Sequence, residues 1–269
     1  MVWWHAVLIA VAGVWAGTIN TVVGSGTLVT FPVLVALGFP PVTATTSNAI
    51  GLAPGTVSGA IGYRHELRGQ TRTLLSFIPA SMLGAVVGAI LLLSLPSDAF
   101  EMIVPVLIVL ALVLVVIQPR VSAWVARRRE REHADGAPAA GPGLSGQSAK
   151  SAALLVTLIF VVGIYGGYFT AAQGVMLMAI MGVLMTDPIQ TLNGIKNVLS
   201  SAVNIVAGII YAFTAPISWP VVALLAVGSI IGGQIGAKIG RKLSPKMLRG
   251  AIVAIGLAAV IQLVATHWL

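Results

Sequence analysis

The sequence predicts an all-α polytopic membrane protein of two inverted-topology repeats, each with about five helical segments and with broken or re-entrant helices near the bilayer midplane. Three observations predict this fold class. The chain of 269 residues is 58% apolar and only 8% charged. Short motifs recur about 150 residues apart along the chain. Loops that are basic in one half correspond to loops without basic residues in the other half.

The composition indicates a chain that lies in a bilayer. A soluble domain carries about a quarter charged residues, whereas this chain combines a low charge with a mean hydropathy of +1.01. A helix needs roughly 20 apolar residues to cross the hydrocarbon core, and the clearest stretches of that length are 73–95, 99–118, 219–240 and 250–266. We therefore expect a multi-pass protein of the plasma (inner) membrane, with a retained N-terminal segment instead of a cleaved signal peptide.

Two pairs of short motifs indicate that the chain contains one pattern twice. Residues 13–26 read GVWAGTINTVVGSG, and residues 163–174 read GIYGGYFTAAQG. Residues 84–89 read GAVVGA, and residues 232–237 read GGQIGA. Both pairs are separated by nearly the same distance along the chain, so the two halves align almost without insertion.

The distribution of positive charge predicts that the second repeat is inverted. Fourteen of the fifteen Lys and Arg residues lie in the stretches 64–72, 120–150 and 238–249. Basic loops stay in the cytoplasm, whereas the loops at 95–98 and 213–218 carry no basic residue and are placed outside. The net charge of +8 is thus a topology signal, which argues against a nucleic-acid partner.

This placement of the loops predicts ten segments, five in each repeat. Following the chain from inside loops to outside loops puts both termini outside the cytoplasm. The second segment of each repeat has only about 12–14 apolar residues, which is too few for a comfortable full span. We expect these two short segments to be tilted, or re-entrant and shielded by their neighbours.

Residues 119–150 are predicted to form a cytoplasmic linker between a first transmembrane repeat at 1–118 and a second, inverted repeat at 151–269. The first part of the linker is charged and is expected to continue as a helix at the membrane surface. The second part is rich in Ala, Gly, Pro and Ser and is expected to be flexible, without a fold of its own.

Each repeat has a polar break between its first and second segments, and these breaks are the first candidate site. Glycine lets a ligand approach the backbone closely, and a helix that restarts presents free N–H groups and a positive dipole end. Two breaks from inverted halves are expected to face each other near the midplane, which is typical of an anion site in a transporter. The alternative is that the glycines only allow close helix packing. The candidate residues are Asn20, Gly24 and Gly26 in the first repeat and Thr170, Gln173 and Gly174 in the second.

The start of the third segment in each repeat is the second candidate site. Thr45 and Asn48 lie there in the first repeat, and Asn193, Lys196 and Asn197 lie there in the second. Asn193 and Asn197 are four residues apart, so they share one face of a helix with Lys196 beside them. These polar side chains are expected to line a cavity.

Lys196 is the only basic residue outside the three basic stretches. A lysine at the centre of a span costs about 3 kcal/mol, so it normally faces a cavity or a partner. Two alternatives to a functional role stay open: the side chain reaches the interface, or it pairs with Asp187.

The residues that are missing exclude several functions. The chain has no cysteine, so disulfides and thiolate chemistry are excluded. No acid and no histidine falls at a predicted midplane, which argues against a proton relay and a carboxylate-bound cation. No nucleophile–base pair and no nucleotide-binding loop is present. We therefore expect neither an enzyme nor a cofactor. The acids are Glu66, Asp98, Glu101, Glu130, Glu132, Asp135 and Asp187, and the histidines are His5, His65, His133 and His267.

The motifs resemble those of the TauE/SafE family of sulfite and organosulfonate permeases. The first-half signature is Gly17-Thr-Ile-Asn20-Thr-Val-Val-Gly24-Ser-Gly26, followed by Phe31-Pro32. The second half matches in Gly163-Ile-Tyr-Gly166-Gly167-Tyr-Phe-Thr170-Ala-Ala-Gln173-Gly174 and in Asn193-x-x-Lys196-Asn197. The resemblance covers nearly the whole chain outside 119–150. One departure is the second break, which is usually richer in glycine in that family.

The resemblance, together with the repeat and its polar breaks, implies a secondary permease that exports sulfite or a short organosulfonate bound between the repeats. The alternatives are a permease or importer of another small anion, a channel, and a non-transporting membrane scaffold or assembly factor. The oligomeric state, including a homo-oligomer, stays open. Backbone N–H groups of Gly24, Gly26 and Gly174 would face the anion, and its oxygens would be bound by Asn20, Thr45, Asn48, Gln173, Asn193, Lys196 and Asn197.

Overall fold

A computed structural model describes residues 2–134, 143–239, 249–250, 252–258 and 260–261. Within these ranges the chain is helical apart from turns and short connections, and it contains no strand. The predicted all-α class is therefore confirmed. The helices are α1 (Trp3–Val22), α2 (Thr27–Ala36), α3 (Pro41–Gly62), α4 (Thr71–Ser94), α5 (Ser97–Ala134), α6 (Ala149–Tyr168), α7 (Gln173–Leu184), α8 (Ile189–Thr214) and α9 (Trp219–Ile239), with a 3-10 turn at Gly143–Gly146.

Six of the described helices are long and apolar enough to cross a membrane: α1, α4, the Asp98–Val121 part of α5, α6, α8 and α9. The short helices α2 and α7 have 10 and 12 residues, as expected for the second segment of each half. The predicted last segment, 250–266, is helical where it is described. Its remaining residues, the C-terminus and most of the basic stretch 238–249 lie outside the described residues.

The helices pack in an exchanged pattern between the two halves of the chain. Helix α1 lies along α9, and α6 lies along α4. Helix α3 contacts both α8 and α9, while α8 contacts both α3 and α4. Each half therefore completes its packing with helices of the other half.

Glycines at both exchanged contacts allow the backbones to touch. A Cβ atom on Gly88 of α4 would lie 2.0 Å from the Ile164 carbonyl oxygen of α6. A Cβ atom on Gly232 of α9 would lie 2.0 Å from the Val14 carbonyl oxygen of α1. Such a clash is possible only with backbone in direct contact, so glycine is required at both positions.

These contacts correct the register that the sequence motifs indicated. The motifs aligned Gly84 with Gly232, but Gly84 meets α6 as Gly228 meets α1, and Gly88 corresponds to Gly232. The two alignments differ by one helical turn. Helix α9 has glycines at 228, 232 and 236, so a spacing of four residues recurs and the motif alone does not define the register.

The linker differs in part from the prediction. Its charged first part is helical, because α5 continues to Ala134, and residues 135–142 lie outside the described residues. Its end, from Gly143 onward, makes tertiary hydrogen bonds that the sequence did not predict. The Gly143 N–H donates to both carboxylate oxygens of Asp187 at 3.1 and 3.0 Å, and the Leu144 N–H donates to Thr73 Oγ1. The turn at Gly143–Gly146 thus joins α4 to the connection between α7 and α8.

Candidate functional site

The two helix breaks are in direct backbone contact. Helix α1 ends at Val22 and α2 begins at Thr27, while α6 ends at Tyr168 and α7 begins at Gln173. The Gly174 N–H donates to the Gly24 carbonyl oxygen at 3.1 Å. A Cβ atom on either glycine would lie 2.5 Å from the Cα atom of the other. The structure therefore brings the two predicted breaks together at one junction, hereafter the break junction.

The first break is held by a side-chain cap. The Val23 and Gly24 N–H groups both donate to the Ile19 carbonyl oxygen, at 2.7 and 3.0 Å. Gly24 has a φ of 93°, a left-handed conformation that glycine adopts without strain. The Asn20 Oδ1 atom accepts a hydrogen bond from the Gly26 N–H at 2.9 Å. Asn20 therefore ties the start of α2 back to α1.

Lys196 of α8 crosses to the other half of the chain and binds the end of α1. Its side chain is 0% exposed, and its Nζ atom donates to the carbonyl oxygens of Asn20 at 3.0 Å and Thr21 at 2.9 Å. The last carbonyls of a helix have no intrahelical partner and form the negative end of its dipole. In its protonated form the Lys196 amino group fits this position and has one N–H group left after these two bonds.

The structure shows neither of the two alternatives for Lys196. Its side chain does not reach an interface, since it is fully buried. Among the described residues its partners are the two carbonyl oxygens. Asp187 instead accepts from Gln70 Nε2 and from the Gly143 N–H. A basic side chain therefore lies inside the helix bundle without a carboxylate bound to it.

Asn48 ties α3 to the start of α2. Its Oδ1 atom accepts from the Thr30 hydroxyl, and its Nδ2 atom donates to Thr27 Oγ1 at 3.0 Å. Both ends of the carboxamide are thus engaged within the first half. Asn48 therefore positions α2 against α3. Only the second N–H of its Nδ2 atom remains for a ligand oxygen.

The second break has left-handed residues that are not glycine. Thr170 and Ala172 have φ values of 61° and 59°. The Ala171 N–H donates to the Phe169 carbonyl oxygen at 2.6 Å, which closes a tight turn around Thr170. The Thr170 hydroxyl donates to the Gly166 carbonyl oxygen at 2.9 Å. A non-glycine residue in this conformation costs about 1–2 kcal/mol, so the surrounding packing must hold the turn.

Aromatic packing surrounds this strained turn. The Phe169 ring lies 5.3 Å from the ring of Phe31 on α2 and 6.3 Å from the ring of Phe100 on α5, both edge to face. The Tyr211 hydroxyl donates to the Gly167 carbonyl oxygen. Edge-to-face pairs contribute about 0.5–1.5 kcal/mol each beyond their buried area, which is enough to offset much of the backbone strain.

Gln173, the first residue of α7, is buried with both ends of its carboxamide unpaired. It is 1% exposed, and neither Oε1 nor Nε2 has a hydrogen-bond partner among the described residues. A Cβ atom on Gly166 would lie 2.5 Å from the Gln173 Cδ atom, so the side chain lies against α6 beside Gly174. Leaving a buried polar group unpaired costs about 1–3 kcal/mol, which favours a water or a ligand at this position.

The break junction does not include every predicted residue. Hydrogen bonds join Asn20, Gly24, Gly26, Gly174 and Lys196, and Thr170 and Gln173 are adjacent in the second break. The N–H groups of the three glycines, which were expected to face the anion, are occupied by carbonyl and side-chain oxygens of the protein instead. No side-chain hydrogen bond of Thr45, Asn193 or Asn197 reaches the junction within the described ranges. Each has a buried polar atom without a partner: Thr45 Oγ1, Asn193 Oδ1 and Asn197 Nδ2.

Sequence reasoning missed several polar residues. Thr21 supplies a carbonyl oxygen to Lys196, and a backbone ligand has no signature in a sequence. Ser25 and Tyr168 have buried hydroxyl groups without partners in the described part of the chain. Both lie inside the motifs of the breaks, at Gly24-Ser25-Gly26 and Gly166-Gly167-Tyr168, so the motifs themselves were the available signal.

The polar side chains at the break junction can donate hydrogen bonds to an oxyanion. The described residues contain no group of three or more His, Cys, Asp or Glu side chains that could hold a metal. The junction instead combines one buried ammonium group with unpaired donors from Gln173 and Ser25. Such a set can replace the hydration of a small oxyanion.

Comparisons with known proteins find relatives along nearly the whole chain. A model of the family described as sulfite exporter TauE/SafE matches residues 9–263. The probable membrane transporter protein ORF9 of a Sinorhizobium species is 23% identical over 259 residues, which are 96% of this chain and 92% of the relative. The probable membrane transporter protein YfcA of Escherichia coli K12 is 22% identical over 241 residues, which are 89% of this chain and 82% of the relative.

Proposed function

The chain belongs to the TauE/SafE family of membrane transporters, and from this premise we propose that it is a secondary permease that exports a small sulfur-containing anion, sulfite or a short organosulfonate. The family match makes it a transporter and not an enzyme. The anion binds where the two breaks meet. Its binding requires neither a cofactor nor a metal.

One observation carries this proposal: the fully buried amino group of Lys196 has carbonyl oxygens as its partners and no bound carboxylate. An uncompensated charge in low dielectric is costly. A small anion near the ammonium group relieves this cost by direct Coulomb attraction, which is stronger there than in water. The remaining N–H of the ammonium group is available for this contact.

The unpaired donors of the second half complete the site. Gln173 offers both N–H groups of its carboxamide, and Asn197 offers its Nδ2 atom. The hydroxyl group of Ser25 lies in the first break. Neutral donors and a single cation select an anion of low charge, because a second negative charge would remain unbalanced.

The exchanged packing supports two inverted repeats. A Cβ atom on Gly17 would lie 2.3 Å from the Ser229 carbonyl oxygen, and one on Gly167 would lie 2.4 Å from the Ala85 carbonyl oxygen. The contact of α1 with α9 thus repeats in the contact of α6 with α4. Inverted repeats with a site at their interface are the architecture of many secondary transporters.

The membrane voltage is sufficient to drive export of a monovalent anion. At about 100 mV, negative inside, the field contributes about 2.3 kcal/mol per charge, a gradient of roughly fifty-fold. Among the described residues, no acidic side chain is hydrogen-bonded to the break junction, which suits uncoupled transport. Stoichiometric proton movement with the anion would contradict this part of the proposal.

The orientation, with basic loops inside and both termini outside, is tested by cysteine labelling. The native chain has no cysteine, so a single introduced cysteine reports one loop. Arg68→Cys is expected to react only with a permeant reagent added to cells, because its loop is placed in the cytoplasm. Ser218→Cys is expected to react with an impermeant reagent. Labelling of both from the same side would refute the inversion.

The function is tested by sulfite-dependent current in proteoliposomes. We expect a saturable current with sulfite that moves net negative charge, and lower or absent currents with taurine and sulfate as comparisons. No current with any sulfur anion, in protein shown to be folded, would contradict the substrate class. A different small anion or a scaffold role would then be tested next, the scaffold predicting no flux without a partner.

A further inference from the structure

We propose that Lys196 is an internal, tethered cation that occupies a site at the end of α1 which an external coupling cation would otherwise fill. The inference deepens the proposed function, and it rests on that function for its transport readout alone. It predicts that transport needs no sodium, and that removing the ammonium group leaves a site for a small monovalent cation.

The end of α1 has the geometry of a cation site. The carbonyl oxygens of Asn20 and Thr21 both lie about 3 Å from the Lys196 Nζ atom, at 3.0 and 2.9 Å. They belong to the last turn of a helix that ends at Val22, where carbonyls lack intrahelical partners. In transporters with broken helices, such C-terminal carbonyls inside the protein coordinate the coupling cation.

The amino group at the end of α1 belongs to a helix of the other half of the chain. Lys196 lies on α8, so its ammonium group joins the second half to the end of the first helix. Asn20 is bound by residues before and after the break. Its carbonyl oxygen accepts a hydrogen bond from Lys196, and its side chain accepts one from the Gly26 N–H. A cation at this place therefore holds the first break in the conformation that contacts Gly174.

Two features distinguish a tethered cation from an ordinary polar contact. The side chain is fully buried, and the carbonyls supply partial negative charge but no full charge. A neutral side chain of equal shape would fill the volume without balancing the dipole of α1. Positive charge, and not merely hydrogen bonding, is the property that the cation series below tests.

The test is rescue of Lys196→Ala by added cations. Purified protein is heated in sodium, potassium, ammonium, methylammonium or choline chloride at equal ionic strength. We expect small cations to raise the melting temperature of the alanine variant by about 2–4 °C over choline. Sulfite current of this variant is expected to recover about tenfold in the best cation. The melting assay does not depend on transport, so it separates this inference from the proposed substrate.

Matched controls define what counts as rescue. Lys196→Met fills the same volume without a charge, so no cation is expected to stabilise it. Ile209→Ala lies on an exposed part of the same helix and is expected to respond to no particular cation. Formamide supplies N–H donors without charge. Rescue of the alanine variant by formamide as strong as by ammonium would overturn the inference.

The native protein gives an independent result if the alanine variant does not fold. Its melting temperature and its current are expected to be equal in sodium, potassium and choline, because the site is already filled. A dependence of native transport or stability on one small cation would overturn the inference, and so would an alanine variant that no cation stabilises.

Discussion

The two breaks touch each other, yet they are held by different chemistry. The first break is polar: Asn20 caps its loop, Lys196 binds its last carbonyls, and its left-handed residue is Gly24. The second break is aromatic and strained: Thr170 and Ala172 are left-handed without being glycine. Two helix breaks of similar length can therefore be stabilised in different ways and present different groups. The first break is fixed by a charge, and the second presents unpaired Gln173.

The largest effect is expected from alanine at the contact between the breaks. Gly24→Ala adds a left-handed strain and a clash at 2.5 Å with the Gly174 backbone, and we expect a loss of about 3 kcal/mol or more in the free energy of unfolding. Gly38→Ala is the matched control, because Gly38 has a φ of 86° but nothing within 4 Å of its Cβ position. The control is expected to lose about 1 kcal/mol.

Thermal unfolding in detergent measures both variants. Equal losses for Gly24→Ala and Gly38→Ala would show that backbone conformation alone, and not the contact of the two breaks, sets the requirement for glycine. Gly174→Ala has no positive φ, so it isolates the clash.

The next largest loss of stability is expected at Asn48, which binds the first residues of α2 and not the loop of the first break. Asn48→Ala removes the partner of the Thr27 hydroxyl and leaves the Thr30 hydroxyl with only its long contact to the Gly26 carbonyl oxygen at 3.5 Å, beside a small cavity. We expect a loss of about 2–3 kcal/mol in stability. The counterpart Asn197 has an unpaired Nδ2 atom, so Asn197→Ala is expected to cost less stability and more transport. Equal losses of stability in Asn48→Ala and Asn197→Ala, measured in urea or by heating, would show that the two asparagines do not differ in their structural role.

Much of this comparison was predictable from the sequence, and part of it was not. The all-α class, the short second helices and the positions of the breaks follow from apolar lengths and from the Gly24 and Gly174 motifs. The contact of Lys196 with backbone carbonyls was not predictable, since carbonyls belong to every residue alike. The hydrogen bonds of Gly143 were missed because its partner Asp187 lies 44 residues away.

Gln173 separates stability from function in the second break. Gln173→Leu removes two unpaired polar atoms and keeps a similar volume, so we expect stability to stay equal or to rise by about 1 kcal/mol. Sulfite affinity is expected to fall about tenfold through the lost donor. Melting temperature and half-saturation of the current measure the two effects. A variant that melts lower and binds sulfite normally would assign Gln173 to structure alone.

The smallest expected effect comes from relieving strain. Ala172→Gly removes a left-handed alanine, which favours the folded state by about 1 kcal/mol, and gains unfolded-state entropy, which opposes it by about 0.5–1 kcal/mol. We expect a small net stabilisation, up to about 0.5 kcal/mol. A clear loss of stability would show that the packing of the Ala172 methyl group outweighs the strain of its φ of 59°.

Calorimetric titration of sulfite into purified native protein and into Lys196→Met, with sulfate as the comparison ligand, tests whether the buried Lys196 side chain attracts the transported anion. We expect saturable sulfite binding to the native protein and a loss of at least about tenfold in affinity in the methionine variant. Equal sulfite affinity in both proteins would show that Lys196 does not bind the anion.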